Sequence, residues 1–245
     1  MEEYLEAIRS RRASIMGRVA AAAERAGRSV EDVKVMAVSK TVDVPQVLAA
    51  IEAGYRLFGE NRPQELVRKL EGLALVPKLP ELRFDMIGNL QKNKINTVLG
   101  RATCIHSISS AHLAEAVSAR AERRMDEGAM AGPQAVLLEV NVSGEASKSG
   151  FEPDELRRSM AELVELRGIR IQGLMTMAPQ GDKDIARSTF EGLRELRDEL
   201  ADSHPELDLA ELSCGMSEDF EEAVLEGSTL IRLGRVVFDP AFTLK

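Results

Sequence analysis

From position 33 onward, short runs of apolar and β-branched residues alternate with longer segments whose apolar positions recur every three or four residues. The runs at 33–40, 56–59, 83–87, 102–108, 134–142, 169–175, 207–212 and 229–233 read as strands, and the segments 44–53, 63–73, 92–99, 111–125, 153–166, 184–203 and 218–226 read as helices. The run at 134–142 is apolar almost throughout, as a strand buried on both faces of a parallel sheet should be. Pro63 and Pro153 suit first helical turns, while Gly54, Gly100 and Gly227 close others. Ahead of this alternation, residues 2–26 carry Leu5, Ile8, Ile15, Val19 and Ala22 at helical spacing, with Gly27 as a C-cap. That extra helix would cover the barrel bottom or pack outside the ring. Eight strand-helix units in 245 residues predict an α/β protein, a single (β/α)8 TIM barrel over residues 1–245 with an extra N-terminal helix. A doubly wound open sheet is the runner-up.

Composition narrows the partners. A formal charge of -8 disfavours nucleic acid and anionic membrane, which need a basic surface. Cys104 and Cys214 lie too far apart for a disulfide framework or a zinc pair, which points to a reducing cytoplasm. No apolar run reaches membrane-spanning length, and the acidic and basic N-terminus has no signal-peptide core. A small metabolite or cofactor is the expected ligand.

In such a barrel the chemistry sits where the strands end. The run 33–40 ends on Lys40, an amine at the C-terminal end of a parallel strand. Desolvated there, it would attack an aldehyde to form a Schiff base; as a snorkelling surface residue it would do nothing. The other strand ends gather Glu60 and Asn61, Gly88 to Gln91, His106 and Ser107, residues 141–150, Thr176 to Pro179, Ser213 to Ser217, and Arg232 to Arg235. The last two loops have the character of a phosphate cradle, with Ser213, Gly215, Ser217 and Gly234 supplying hydroxyls and backbone N–H groups. Ser217 equally suits an N-cap for a helix beginning at Glu218. Arg232, inside an apolar closing strand, needs an acceptor: a structural carboxylate, or a ring nitrogen. A pyridine nitrogen facing Arg stays unprotonated and makes a poorer electron sink than one paired with Asp, which argues against a transaminase.

Several segments resemble one family: Ala37-Val-Ser-Lys40, Phe58-Gly-Glu-Asn61, Ile87-Gly-Asn-Leu-Gln-Lys-Asn-Lys94, Val140-Asn-Val-Ser143 with Ser147-Lys-Ser-Gly150, Gly173-Leu-Met-Thr-Met-Ala-Pro179, Gly215-Met-Ser217 and Gly227-Ser-Thr-Leu-Ile-Arg-Leu-Gly234. Together they are similar to the pyridoxal phosphate homeostasis proteins, the YggS/PROSC family. The resemblance implies a barrel like the N-terminal domain of alanine racemase, with pyridoxal 5'-phosphate (PLP) held covalently as a Lys40 Schiff base. It places Arg232 by the pyridine nitrogen, Asn61 along the cofactor, Met175 and Met177 in the pocket wall, and Ser213, Ser217, Gly234 and Arg235 around the phosphate. Asp85, Ser109, Cys214 and Asp239 depart from the family pattern. The implied role is non-catalytic PLP homeostasis, with delivery to apo-enzymes by a monomer. The alternative is an amino-acid racemase, which needs a second base opposite the lysine; Tyr4, Tyr55 and His106 are the candidates to weigh. An unrelated sugar-phosphate barrel without a Schiff base is a third reading.

Overall fold

Parallel strands buried on both faces must close on themselves or end in bare edges, and here they close. The computed structural model describes residues 2–242, and its eight strands pair in chain order into a sealed barrel. After helix α1 (Glu2–Arg25), the units are β1 (Lys34–Val38) with α2 (Val44–Glu52), β2 (Leu57–Glu60) with α3 (Pro63–Ala74), β3 (Arg83–Met86) with α4 (Ile95–Val98), and β4 (Cys104–Ile108) with α5 (Ala111–Asp126). There follow β5 (Gln134–Glu139) with α6 (Pro153–Leu163), β6 (Ile169–Met175) with α7 (Lys183–Ser203), β7 (Glu211–Ser213) with α8 (Phe220–Leu225), and β8 (Leu230–Leu233) with α9 (Arg235–Phe238). Closure runs from Lys34 opposite Leu230 to Ala37 opposite Leu233.

The alternation of side chains along each strand makes two apolar environments. Outward residues such as Phe58, Ile105, Val136 and Leu174 join the helices in one large core. Inward residues form two smaller clusters, Met36, Val38, Leu57 and Leu230, and Cys104, Ala135, Leu137 and Met175. Between these clusters the interior is polar, with Asp85, His106, Glu139, Glu211, Ser213 and Arg232 all buried.

Three expectations change, while the N-terminal helix takes one of its two expected places and packs outside, against α2, α8 and α9. It fills the ring position that α9, a single turn, is too short to occupy. The predicted helix at 92–99 is a 3-10 turn at Lys92–Lys94 followed by the one-turn α4. The strand expected at 207–212 lies at Glu211–Ser213, a register that turns Glu211 and Ser213 into the polar interior. The short helix α9 was read as loop.

Gly173 shows how close the β6–β7 approach is. Its φ is +151°, and a Cβ there would lie 1.8 Å from the Glu211 carbonyl oxygen. Gly173→Ala is expected to push β6 from β7 and to cost about 1–3 kcal/mol, read as a lower urea midpoint with an unchanged slope.

Candidate cofactor site at the barrel rim

Strand β1 ends at Val38, and the next residue is the reason it stops there. Ser39 is fully buried; its hydroxyl donates to Glu60 Oε1 at 2.6 Å, and its carbonyl accepts from the Lys69 ammonium. Lys69, on α3, also forms an ion pair with Glu60, and both side chains are completely buried. The chain therefore leaves the sheet at Ser39, and Lys40 follows in a turn. Lys40 is exposed at the rim rather than desolvated in the strand, because the buried tether sits one residue earlier. Its amine has no hydrogen-bond or ion-pair partner among the described residues and faces a cavity of about 820 Å³.

Arg232 approaches the same cavity from β8. Its Nη1 donates to Ser213 O and to Ser213 Oγ, each at 2.7 Å, and its Nη2 donates to Thr176 O at 2.9 Å. Thr176 is held in turn, its hydroxyl donating to Val140 O at 2.7 Å. Of the five guanidinium N–H groups three are engaged, and two have no protein acceptor among the described residues. Among the described residues no carboxylate forms an ion pair with Arg232, so none of them serves as the structural partner. Burial lowers its pKa, against the weaker opposing pull of Cys214, Asp219 and Glu139. A guanidinium so far from a counter-charge needs a further acceptor from the cavity side.

Across the mouth, Gly234 leads into α9, and Ser217 Oγ accepts from Val236 N at 3.5 Å. Ser217 is not a helix cap, because α8 begins only at Phe220 and Asp219 precedes it, accepting from Met216 N at 2.6 Å. A short helix after the eighth strand is where barrels of this class receive phosphate. Arg235 is paired with Glu218 at 2.6 Å and lies over the Phe242 ring. On the far wall Asn61 Oδ1 is buried without a partner among the described residues, and Gly88 permits this approach: a Cβ there would lie 2.2 Å from Asn61 O.

Lys40, Asn61, Met177, Ser217, Arg232, Gly234 and Arg235 thus line one cavity. Ser213 does not; it lies beneath Arg232, and both its contacts are internal. A phosphate role for it has no geometric support. Met175 is likewise packed inside, against Cys104 and Leu137. Cys214 is a buried thiol pushed up to about 11 by burial, which makes it inert. Sequence reasoning passed over Lys69, although it falls on the apolar stripe of α3 with Leu66 and Leu73, and that spacing was a signal. It also passed over residues 180–183, which complete the cavity wall beside the expected Pro179 and Met216.

The pieces present suit a group carrying a carbonyl, an unprotonated ring nitrogen and a phosphate. The alanine racemase N-terminal domain model matches residues 12–240, and that barrel defines the class of protein. A pyridoxal phosphate homeostasis protein of Aquifex aeolicus is 38% identical over 226 residues, 91% of this chain and 94% of the relative. An unknown protein of Bifidobacterium adolescentis, solved by crystallography, shares 40% identity at a TM-score of 0.88, covering 97% of each chain. PipY of Synechococcus elongatus, solved with PLP bound, shares 33% identity at a TM-score of 0.80, covering 94% of this chain and 99% of that one. The chain belongs to the pyridoxal phosphate homeostasis protein family.

Lys69→Met leaves the Glu60 carboxylate buried and unpaired, and is expected to cost about 3–5 kcal/mol in urea unfolding; adding Glu60→Gln should return part of that loss. At the other end of the barrel, burial would raise the Glu211 carboxyl, but hydrogen bonds from Arg83 and Lys34 outweigh it and hold the group down to about 2, from an ordinary 4.5. A depressed carboxyl stabilises the fold above its ordinary value and ceases to do so as pH falls through the folded value. Unfolding free energy should therefore drop by roughly 3 kcal/mol between pH 4.5 and 2, and Glu211→Gln should flatten that part of the profile.

Proposed function

We propose that this chain binds PLP in the rim cavity and serves in its intracellular homeostasis and delivery to apo-enzymes, as a cytoplasmic monomer without sustained turnover of amino acids. The observation that carries this reading is that a free amine at Lys40 and a guanidinium without a carboxylate at Arg232 face one cavity. When bound, the cofactor would supply an electrophilic aldehyde, and Lys40 would hold it through its amine. Arg232 would donate an unused N–H to the ring nitrogen, which would favour its unprotonated form. Ser217 and the backbone N–H groups of Gly234 and Arg235 would hold the phosphate, and Met177 and Asn61 would line the ring.

The racemase alternative needs a proton donor opposite the lysine, and the geometry gives it little support. Tyr4 donates from outside the ring to Phe238 O at 3.3 Å, Tyr55 is buried just before β2, and His106 is fully buried; none of the three lines the cavity. No helix among the described residues is long and apolar enough to cross a membrane. Both cysteines are free and buried.

Borohydride reduction of protein soaked with PLP, followed by peptide mass mapping, is expected to place a pyridoxyl phosphate adduct on Lys40 and none in Lys40→Ala. Arg232→Leu should weaken PLP retention about 10–100-fold, the range for a lost hydrogen bond to a charged group. Incubation with each L-amino acid and chiral analysis should give no turnover beyond stoichiometry; continued racemisation would establish an enzyme instead.

A further inference from the structure

Ser213, His106 and Asp85 are fully buried and none lines the cavity, yet they join the Arg232 fork to the far end of the barrel by unbroken hydrogen bonds. Arg232 Nη1 reaches Ser213 Oγ at 2.7 Å, Ser213 Oγ lies 3.0 Å from His106 Nδ1, and His106 Nε2 lies 3.0 Å from Asp85 Oδ2. Asp85 also accepts from Arg83 Nε, at 3.0 and 2.9 Å on its two oxygens, and from the Cys104 backbone N–H at 3.1 Å. Arg83 continues the column to Glu211, at 2.9 and 3.0 Å.

Only one distribution of protons satisfies every member. A guanidinium can only donate, so Ser213 Oγ accepts from Arg232. A carboxylate paired with Arg83 accepts from every side, so the proton between His106 and Asp85 resides on Nε2. His106 then has one nitrogen left and Ser213 one proton left. They satisfy each other when the serine hydroxyl donates to a bare Nδ1. A proton on Nδ1 would leave the serine donor buried without an acceptor and add a positive charge beside Arg232. The acidic groups that bear on Arg232 from neighbouring elements are Glu139, at the end of β5, and Asp219, before α8; neither forms an ion pair with it among the described residues. The column thus supplies the one side-chain acceptor of Arg232, beside the Ser213 and Thr176 carbonyls.

We propose that His106 is a positioning residue. Held by Asp85 as the neutral Nε2–H tautomer, it turns the Ser213 hydroxyl so that an oxygen lone pair meets Arg232. The guanidinium is thereby locked in the orientation that keeps its two unused N–H groups for the cofactor's ring nitrogen. The inference rests on the PLP reading for its effect, though not for the proton arrangement itself.

The chain has three histidines, of which only His106 is buried. A long-range proton–nitrogen NMR spectrum of the wild-type protein without PLP is expected to show, for His106, a protonated Nε2 and a bare Nδ1. A doubly protonated ring or the opposite tautomer overturns the proposal. Asp85→Asn, which offers an amide donor to Nε2, is expected to invert the tautomer, and a retained Nε2–H signature removes Asp85 from the role given to it. In PLP titrations His106→Phe and Ser213→Ala should each weaken retention about tenfold, the loss of one hydrogen bond, and displace the visible absorption band. The double variant should be no weaker than the worse single one, because both cut the same column. If His106→Phe does not fold, Ser213→Ala, which removes one oxygen atom, carries this arm. Unchanged affinity and band in the folded variants overturn the positioning role. Wild-type protein that takes up no PLP overturns the functional reading instead, and leaves the tautomer result standing.

Discussion

A positive charge placed inside a closed barrel without a carboxylate beside it has to be held by dipoles, and Arg232 is held in this way. Two backbone carbonyls and one hydroxyl engage three of its donors. That arrangement costs more than a salt bridge would on desolvation grounds alone, yet it leaves the fork available to a neutral acceptor. An Asp or Glu in contact would have neutralised the guanidinium and removed its reason to face the cavity. The site chemistry therefore follows from where the barrel puts its carboxylates, which is one layer further in.

Charge inside this barrel is graded along the axis. Lys34, Arg83, Asp85 and Glu211 form a compact paired group at the N-terminal end, where each charge has an opposite neighbour. Near the C-terminal rim the pairing thins to Arg232, and at the rim itself Lys40 has no ion-pair partner among the described residues, whereas Arg235 pairs with Glu218. Barrels of this class keep stability at one end and chemistry at the other. The column through His106 connects the two without carrying a net ion pair across the middle.

A second buried pair, Lys69 with Glu60, is easily mistaken for part of the site because it lies directly behind Lys40. Its physical effect is on the backbone: it takes Ser39 out of the sheet, ends β1 and presents the next residue to the opening. Among the described residues no tyrosine or histidine lines the cavity.

The fold was legible because burial on both faces of each strand leaves a one-dimensional trace, short apolar runs alternating with amphipathic helices. Seven residues that line the cavity were legible as well, since each falls at or shortly after the end of an apolar run. Boundaries at β7 and α4, and the single turn α9, were not, because segments of three or four residues carry too few positions for a period to register. Ser213 was misjudged for a different reason. Adjacent rim positions point alternately into the barrel and toward the helices, and whether an inward hydroxyl meets ligand or protein depends on its depth, which a loop sequence does not encode. Lys69, Asp85 and His106 lie on three different elements, and apart from Arg83, two positions before Asp85, their partners are 9, 19, 21, 30 or 107 positions away. Local sequence thus determined the elements and which residues reach the rim. Only barrel closure, by setting strand against strand, decided which buried charges neutralise one another and which one is left for the cofactor.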